Sequence, residues 1–174
     1  MAPSAEEIRE EIRTAFAERP YPGDDRIALS QPGFPDYEGE AVGRFFRGKD
    51  WREITVESIL EDRELDLNAF VFFLTADGFV YYLPALLSIS LDVDGPFDLG
   101  EALVLKLSPP PPHAREAWRE QFSRIIELLT RDEKRAVVHG LEHLAAEYEK
   151  RRYITNHAQE ALDSFWANLT DEQK

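Results

Sequence analysis

Apolar residues recur at helical spacing in several long segments of the chain, each preceded by a residue suited to cap a helix. Ser4 precedes the first segment, and Glu7 completes a capping box three positions later. Thr130 and Glu133 repeat this arrangement, and Asn156 precedes the final segment. Apolar side chains then follow every three or four residues, which predicts amphipathic helices that each bury one face.

Shorter helices are predicted around residues 38–47, after the cap Thr55, and after Asp98, although a strand is also possible at the last position. The connections are long and rich in Pro and Gly, as in "RPYPGDDRIALSQPGFPDY" and in "PPPP" at 109–112. These patterns predict a mainly α fold. We expect residues 1–174 to form a single-domain bundle of about seven helices with long irregular connections.

Residues 69–84 support two predictions. Two aromatic and β-branched runs flank Ala76-Asp77-Gly78, and Asp-Gly is a strong turn signal, so the segment predicts a small hairpin in an α+β fold. Apolar residues from Phe79 to Leu91 also form a helical stripe with Thr75 as its cap. Pro84 would kink that helix or start a new one. The pattern alone leaves helix and hairpin open.

Composition narrows the function classes. The chain has 34 acidic and 20 basic residues, for a net charge of −14, which disfavours binding to nucleic-acid phosphates. No cysteine is present, so disulfides and thiolate chemistry are excluded. No signal peptide and no run of 18 apolar residues are present, so we expect a cytoplasmic protein that does not enter a membrane.

The stretch "HGLEH" has the H-x-x-E-H spacing of a zinc-protease helix, with His139 and His143 one turn apart. His143 is predicted beside the buried stripe of its helix, whereas His139 points away from it. Glu160 and Asp163 are the possible third ligands downstream, and neither has a recognisable context. We interpret the motif as a coincidence of helix-surface residues and expect no metal site there.

Residues 90–101, "SLDVDGPFDLGE", partly match a calcium-binding loop. Asp92, Asp94, Gly95, Asp98 and Glu101 occupy ligand or turn positions, but serine stands at the first position, where calcium loops have a carboxylate. Paired carboxylates also occur in "YPGDD", and no histidine or second acidic cluster lies nearby in sequence to complete a site. Both stretches are interpreted as acidic turns.

Four motifs resemble an uncharacterised bacterial domain family: "YPGDDRI", "FFRGKDW", "FFLTADGFVYYLPALL" and "LLTRDEKRAVVHGLEHLAAE". The family forms of the last two are similar to F-L-T-P-E-A-F-R-Y-Y-L-P-A and L-T-P-E-Q-R-x-A-V. A Thr-Pro-Glu start is typical of a helix N-terminus, so the resemblance favours helix at residues 69–84. The family pattern does not require the two histidines. The resemblance implies no established activity.

These observations favour a non-enzymatic, cytoplasmic protein-binding function without a cofactor. The concrete hypothesis is an immunity-type inhibitor that covers a basic toxin or another basic partner with acidic surface. The candidate contact residues are Asp24, Asp25, Asp92, Asp94 and Asp98. One alternative is a metal-dependent regulator or enzyme that uses residues 90–101 or the pair His139 and His143. Another alternative is a structural subunit of an assembly.

Overall fold

The computed structural model describes residues 3–29, 37–95 and 99–171, and the described part is mainly helical. Its helices are α1 (Ala5–Ala15), α2 (Tyr37–Phe46), α3 (Val56–Glu61), α4 (Ala76–Ser90), α5 (Leu99–Leu107), α6 (Glu116–Leu128), α7 (Arg131–Lys150), α8 (His157–Ala161) and α9 (Ala167–Asp171). A π-helical turn, Leu162–Trp166, joins α8 to α9. The prediction of a mainly α fold is confirmed.

The helix caps predicted at Ser4, Thr130 and Asn156 are present. Reciprocal capping boxes join Ser4 to Glu7 at the start of α1, and Thr130 to Glu133 at the start of α7. The Asn156 side chain accepts a hydrogen bond from the main-chain N–H of Gln159, at 3.1 Å. Each cap satisfies an N–H group that the first turn of a helix leaves without a partner, so local sequence sets where these helices begin.

The hairpin alternative for residues 69–84 is wrong. The segment forms a 3₁₀ turn, Phe70–Phe73, followed by α4, and the Thr75 hydroxyl accepts from the N–H of Gly78 at 2.9 Å. Pro84 lies inside α4 without ending it. Nearly all of α4 is buried, and a helix that is buried all round is apolar on every side. Its sequence therefore lacks the polar face by which an amphipathic helix can be distinguished from a buried strand.

Helix α4 lies at the centre, and α1, α5, α6 and α7 pack around it. Gly140 of α7 explains how closely two of these helices approach, because a Cβ atom there would lie 2.8 Å from a methyl carbon of buried Leu87. Gly78 has the same role at the start of α4, where a Cβ atom would lie 2.3 Å from the carbonyl oxygen of Ile27. The absence of a side chain at these two glycines allows α4 to pack close to its neighbours.

The segment after α1 is tied to the start of α7 by a buried ion pair. The Arg19 guanidinium binds both carboxylate oxygens of Glu133, and one of its nitrogens also donates to the carbonyl of Leu128 at 2.7 Å. The Glu133 side chain is 3% exposed and that of Arg19 is 13% exposed. The same carboxylate accepts from the main-chain N–H of Thr130 at 2.7 Å. Glu133 therefore caps α7 and anchors it to the N-terminal segment.

Residues 99–107 form helix α5 and not a strand. Asp98, its predicted cap, lies outside the described residues. Within the described ranges, no helix has the length and apolar character that crossing a membrane requires.

Candidate functional site

Helix α5 places a lysine in the protein interior. Lys106 is 5% exposed, and its amino group donates to the carbonyl of Leu74 at 2.8 Å and is 3.4 Å from the amide oxygen of Gln121. The amino group also lies 5.3 Å from the centre of the Phe79 ring. Among the described residues, no carboxylate is within ion-pairing distance of Lys106. A buried lysine is usually paired, so this one requires an explanation.

An apolar groove of about 720 Å³ lies beside Lys106. Its walls come from the 3₁₀ turn at 70–73, from α5, from α6 and from the proline-rich connection between those two helices. The lining residues are Leu29, Phe72, Leu105, Lys106, Pro111, His113, Ala114, Arg115, Ala117, Trp118, Gln121, Phe122 and Ile125. This volume falls within the range of roughly 300–1,000 Å³ that is usual for small-molecule sites.

Large apolar side chains are exposed along this groove. Leu29, Phe72, Leu105 and Trp118 are 38–44% exposed, and all four line it. Single exposed apolar residues are ordinary on protein surfaces, whereas a contiguous set marks an interaction site. Four such residues in one concave surface distinguish the groove from the rest of the described surface.

The groove is lined by basic side chains, on a protein with a net charge of −14. The described lining residues include no Asp or Glu, and the groups that carry or accept a proton there are Lys106, His113 and Arg115. Burial lowers the pKa of Lys106 to about 7, because the low-dielectric interior disfavours the charged ammonium form. The groove therefore suits a ligand with an apolar body and one negative group.

Sequence reasoning did not identify Lys106 as a site residue. The available signal was its position in "LGEALVLKLS", where it is the only basic residue in an apolar helix and lies one turn after Leu103 on the buried side. The groove itself was not predictable, because its walls come from segments far apart in the chain.

The five predicted contact acids do not form one surface of free carboxylates. Asp92 pairs with Arg9 at 2.7 Å, and Asp94 pairs with Arg151 through bonds of 2.7 and 2.8 Å. The pKa of Asp94 is lowered, since the adjacent guanidinium donates to its carboxylate and favours the charged form. The remaining acids are Asp24, which accepts from the Tyr21 hydroxyl, exposed Asp25, and Asp98, which lies outside the described residues.

The two histidines of "HGLEH" bind different partners. Nδ1 of His139 lies 2.6 Å from a carboxylate oxygen of Glu11 on α1, so this helix-surface histidine forms an interhelical contact that we did not predict. Nε2 of His143 lies 3.2 Å from the carbonyl oxygen of Leu91. Burial raises the pKa of Glu11, but hydrogen bonds from His139 and Arg135 outweigh it, and the net pKa is lowered.

Glu160 and Asp163, the candidate third ligands, do not complete a metal site with these histidines. Among the described residues, no group of three or more His, Asp or Glu side chains is arranged to hold a metal ion. Asp163 accepts instead from the side chain of Gln159 at 2.8 Å.

The acids of residues 90–101 are also separated. Ser90, at the first loop position, is buried at the end of α4, and its hydroxyl donates to the carbonyl of Leu87 at 2.8 Å. Glu101, at the last position, bonds to His157 of α8. With Asp92 and Asp94 held by Arg9 and Arg151, the described acids of the stretch serve as contacts between elements.

The fold and the groove define a mainly helical protein with an apolar cleft over a buried lysine. The chain belongs to DUF6714, a family of unknown function, whose model matches residues 4–170. No curated protein and no solved structure matches the chain.

Proposed function

We propose that this protein is a non-enzymatic binding protein and that the groove beside Lys106 is its binding site. The observation that carries the proposal is the concave cluster of exposed apolar side chains around a buried amine that has no counter-ion among the described residues. Burial of such apolar surface supplies affinity, and a few polar groups set the orientation of the ligand. The size of the groove favours a small molecule.

The groove supports this function better than the acidic loops do. Asp92 and Asp94 already have arginine partners, and a basic protein would compete with Arg9 and Arg151 for them. The groove, in contrast, leaves apolar area in contact with water in the free protein. The largest free-energy gain from binding is therefore expected at the groove.

NMR titration with C8 probes tests the proposal. The probes are octan-1-ol and octanoate, which share an apolar chain. We expect shifts centred on the indole of Trp118 and the amides of α5 and α6. Leu105→Ser should weaken binding of both probes several-fold, whereas Leu60→Ser, at a similarly exposed position on α3, should leave it unchanged. If neither probe binds, the groove is refuted as a binding site.

An acidic-surface inhibitor is a second candidate function, favoured by the net charge of −14. Complementary charge would accelerate association with a basic partner and would make the rate depend on salt. Asp24 and Asp25 are the acids among the five candidates that are exposed and form no ion pair within the described residues. Affinity capture at low and at physiological salt tests this function: recovery of a defined basic protein supports it, and recovery of none at either salt opposes it.

A further inference from the structure

We propose that the groove selects ligands bearing a carboxylate, and that the Lys106 amino group takes up a proton from solvent as the ligand carboxylate arrives beside it. The proposal rests on the proposed binding function and specifies the ligand class. The product is an ammonium–carboxylate pair inside the protein, formed from a neutral amine, a proton from the buffer and an anionic ligand. No covalent bond forms.

The hydrogen bonds around Lys106 favour the neutral amine in the free protein. A neutral amine has two N–H groups, and two acceptors are present, the carbonyl of Leu74 at 2.8 Å and the amide oxygen of Gln121 at 3.4 Å. An ammonium group has a third N–H, for which the described residues around it offer only the face of Phe79. A ligand carboxylate would supply both the missing acceptor and the missing counter-charge.

The groups that hold Lys106 keep it beside the groove. Gln121 donates through its amide nitrogen to the carbonyl of Leu74 at 3.2 Å, so lysine and glutamine share one acceptor. Gln121 and Lys106 both line the groove. A carboxylate that enters the groove beside Lys106 therefore meets an amine held in place by its hydrogen bonds, and protonation of that amine supplies the N–H that bonds to the carboxylate.

The charged groups on the described elements packed around α5 do not supply the counter-ion that Lys106 lacks. Asp77 of α4 lies 3.7 Å from Arg26 and 3.6 Å from Arg124 of α6, and it forms no ion pair with Lys106. The 3₁₀ turn at 70–73 has no titratable side chain, and His157 of α8 is bonded to Glu101 of α5. The remaining titratable groups in the described lining are exposed His113 and exposed Arg115, and the Arg115 guanidinium is positively charged.

The pH dependence follows from this arrangement. The pKa of Lys106 is about 7 in the free protein because of burial, and a neighbouring carboxylate would raise it. Between those two pKa values the complex holds one proton more than the separate partners. Carboxylate affinity should therefore fall as the pH rises above 7, whereas affinity for an uncharged probe should not change.

Calorimetry with octanoate, octan-1-ol and octylammonium tests the proposal on the intact protein. We expect octanoate to bind roughly tenfold to a hundredfold tighter than octan-1-ol, because a charge-assisted hydrogen bond is formed. Octylammonium should bind most weakly. Titrations at pH 8 in phosphate and in Tris, which differ in ionisation enthalpy, should reveal uptake of a proton with octanoate and none with octan-1-ol.

Two variants test whether Lys106 causes the preference for octanoate and the proton uptake. Lys106→Met keeps the volume of the side chain and removes the buried amine, so it should bind octan-1-ol normally while losing both the preference for octanoate and the proton uptake. Lys134→Met, at a partly exposed position on α7 outside the groove lining, should retain both. Retention of the octanoate preference and the proton uptake in Lys106→Met would overturn the assignment to Lys106.

The possible failures are distinguishable. Equal affinity of the wild type for octanoate and octan-1-ol would refute carboxylate selection and leave the binding function intact. No binding of any of the three probes would refute the binding function itself.

Discussion

Lys106 gives the folded protein a stability that depends on pH. Its pKa is about 7 in the folded chain, below the usual 10.5, so the unfolded chain binds more protons between those values. The free energy of unfolding of the wild type should therefore rise as the pH increases from about 7 to 10.5. Below pH 7 the amine is protonated in both states, and this gain in stability is absent. Lys106→Met should be more stable than the wild type by on the order of a few kcal/mol below pH 7, and the difference should shrink toward pH 10.5.

Urea unfolding at several pH values measures this difference. The matched control is Lys134→Met, at a partly exposed position on α7, which tests whether loss of any lysine has the same effect. A constant difference between the wild type and Lys106→Met across the window would show that burial does not perturb the amine.

Gly78 is required by contact with the main chain. Gly78→Ala should destabilise the protein by roughly 1–3 kcal/mol, since the added methyl group would lie 2.3 Å from the carbonyl oxygen of Ile27. That carbonyl is itself fixed by the N–H of Thr75 at 3.0 Å. Thermal and urea unfolding measure the loss.

A second helical glycine provides the control. Gly43→Ala places its methyl group 2.9 Å from the mobile end of Arg47, which can move away. This variant should be neutral or gain up to about 1 kcal/mol from better helix propensity. Equal effects of the two substitutions would refute the steric account of Gly78.

At the scale of elements, Glu133 joins the start of α7 to the segment after α1. Glu133→Ala would leave the Arg19 guanidinium buried without a counter-ion and would remove one half of the capping box. We expect a loss of about 3–5 kcal/mol, the usual result of breaking a buried pair from one side. The measurement is the free energy of unfolding in urea.

An exposed ion pair is the matched comparison for Glu133. The side chains of Arg44 and Glu64 are 55% and 66% exposed. Glu64→Ala should therefore change stability by less than about 1 kcal/mol. A similarly small effect for Glu133→Ala would mean that the buried pair does not hold α7 in place.

The elements themselves were largely predictable from local sequence, whereas their arrangement was not. Caps such as Ser4 and Thr130 fixed helix starts because a side-chain hydrogen bond there involves residues only three positions apart. Helix α4 was ambiguous because it is buried on every side, and pattern analysis depends on a polar face. The contact between His139 and Glu11 was not predicted, because the two residues are 128 positions apart in sequence.

The candidate site was harder to predict than the fold for the same reason. Lys106, Leu74 and Gln121 become neighbours only when α5, α6 and the 3₁₀ turn pack together. The acidic residues were conspicuous in sequence, but the described members of the 90–101 stretch are used within the fold. Asp92 and Asp94, for example, hold Arg9 and Arg151. Residue counts reveal charge and do not reveal which charges already have partners.

At the scale of the whole molecule, the net charge of −14 opposes the compact state. Exposed pairs such as Arg13 with Glu6 return little free energy, because both side chains remain more than half exposed. Unpaired exposed acids repel one another over distances comparable to the Debye length, which is roughly 30 Å at 0.01 M salt and 8 Å at 0.15 M. Self-repulsion is therefore the dominant effect of surface charge on stability at low salt.

This balance predicts that the melting temperature rises when NaCl is increased from about 0.01 to 0.15 M, since screening over that range shortens the Debye length several-fold. A molecule stabilised mainly by its surface ion pairs would respond in the opposite direction. A variant with Asp25→Asn, Glu142→Gln and Glu160→Gln removes three exposed acids that form no ion pair within the described residues. It should melt higher than the wild type at low salt and gain less from added NaCl. A melting temperature that falls with salt in the wild type would contradict the dominance of self-repulsion.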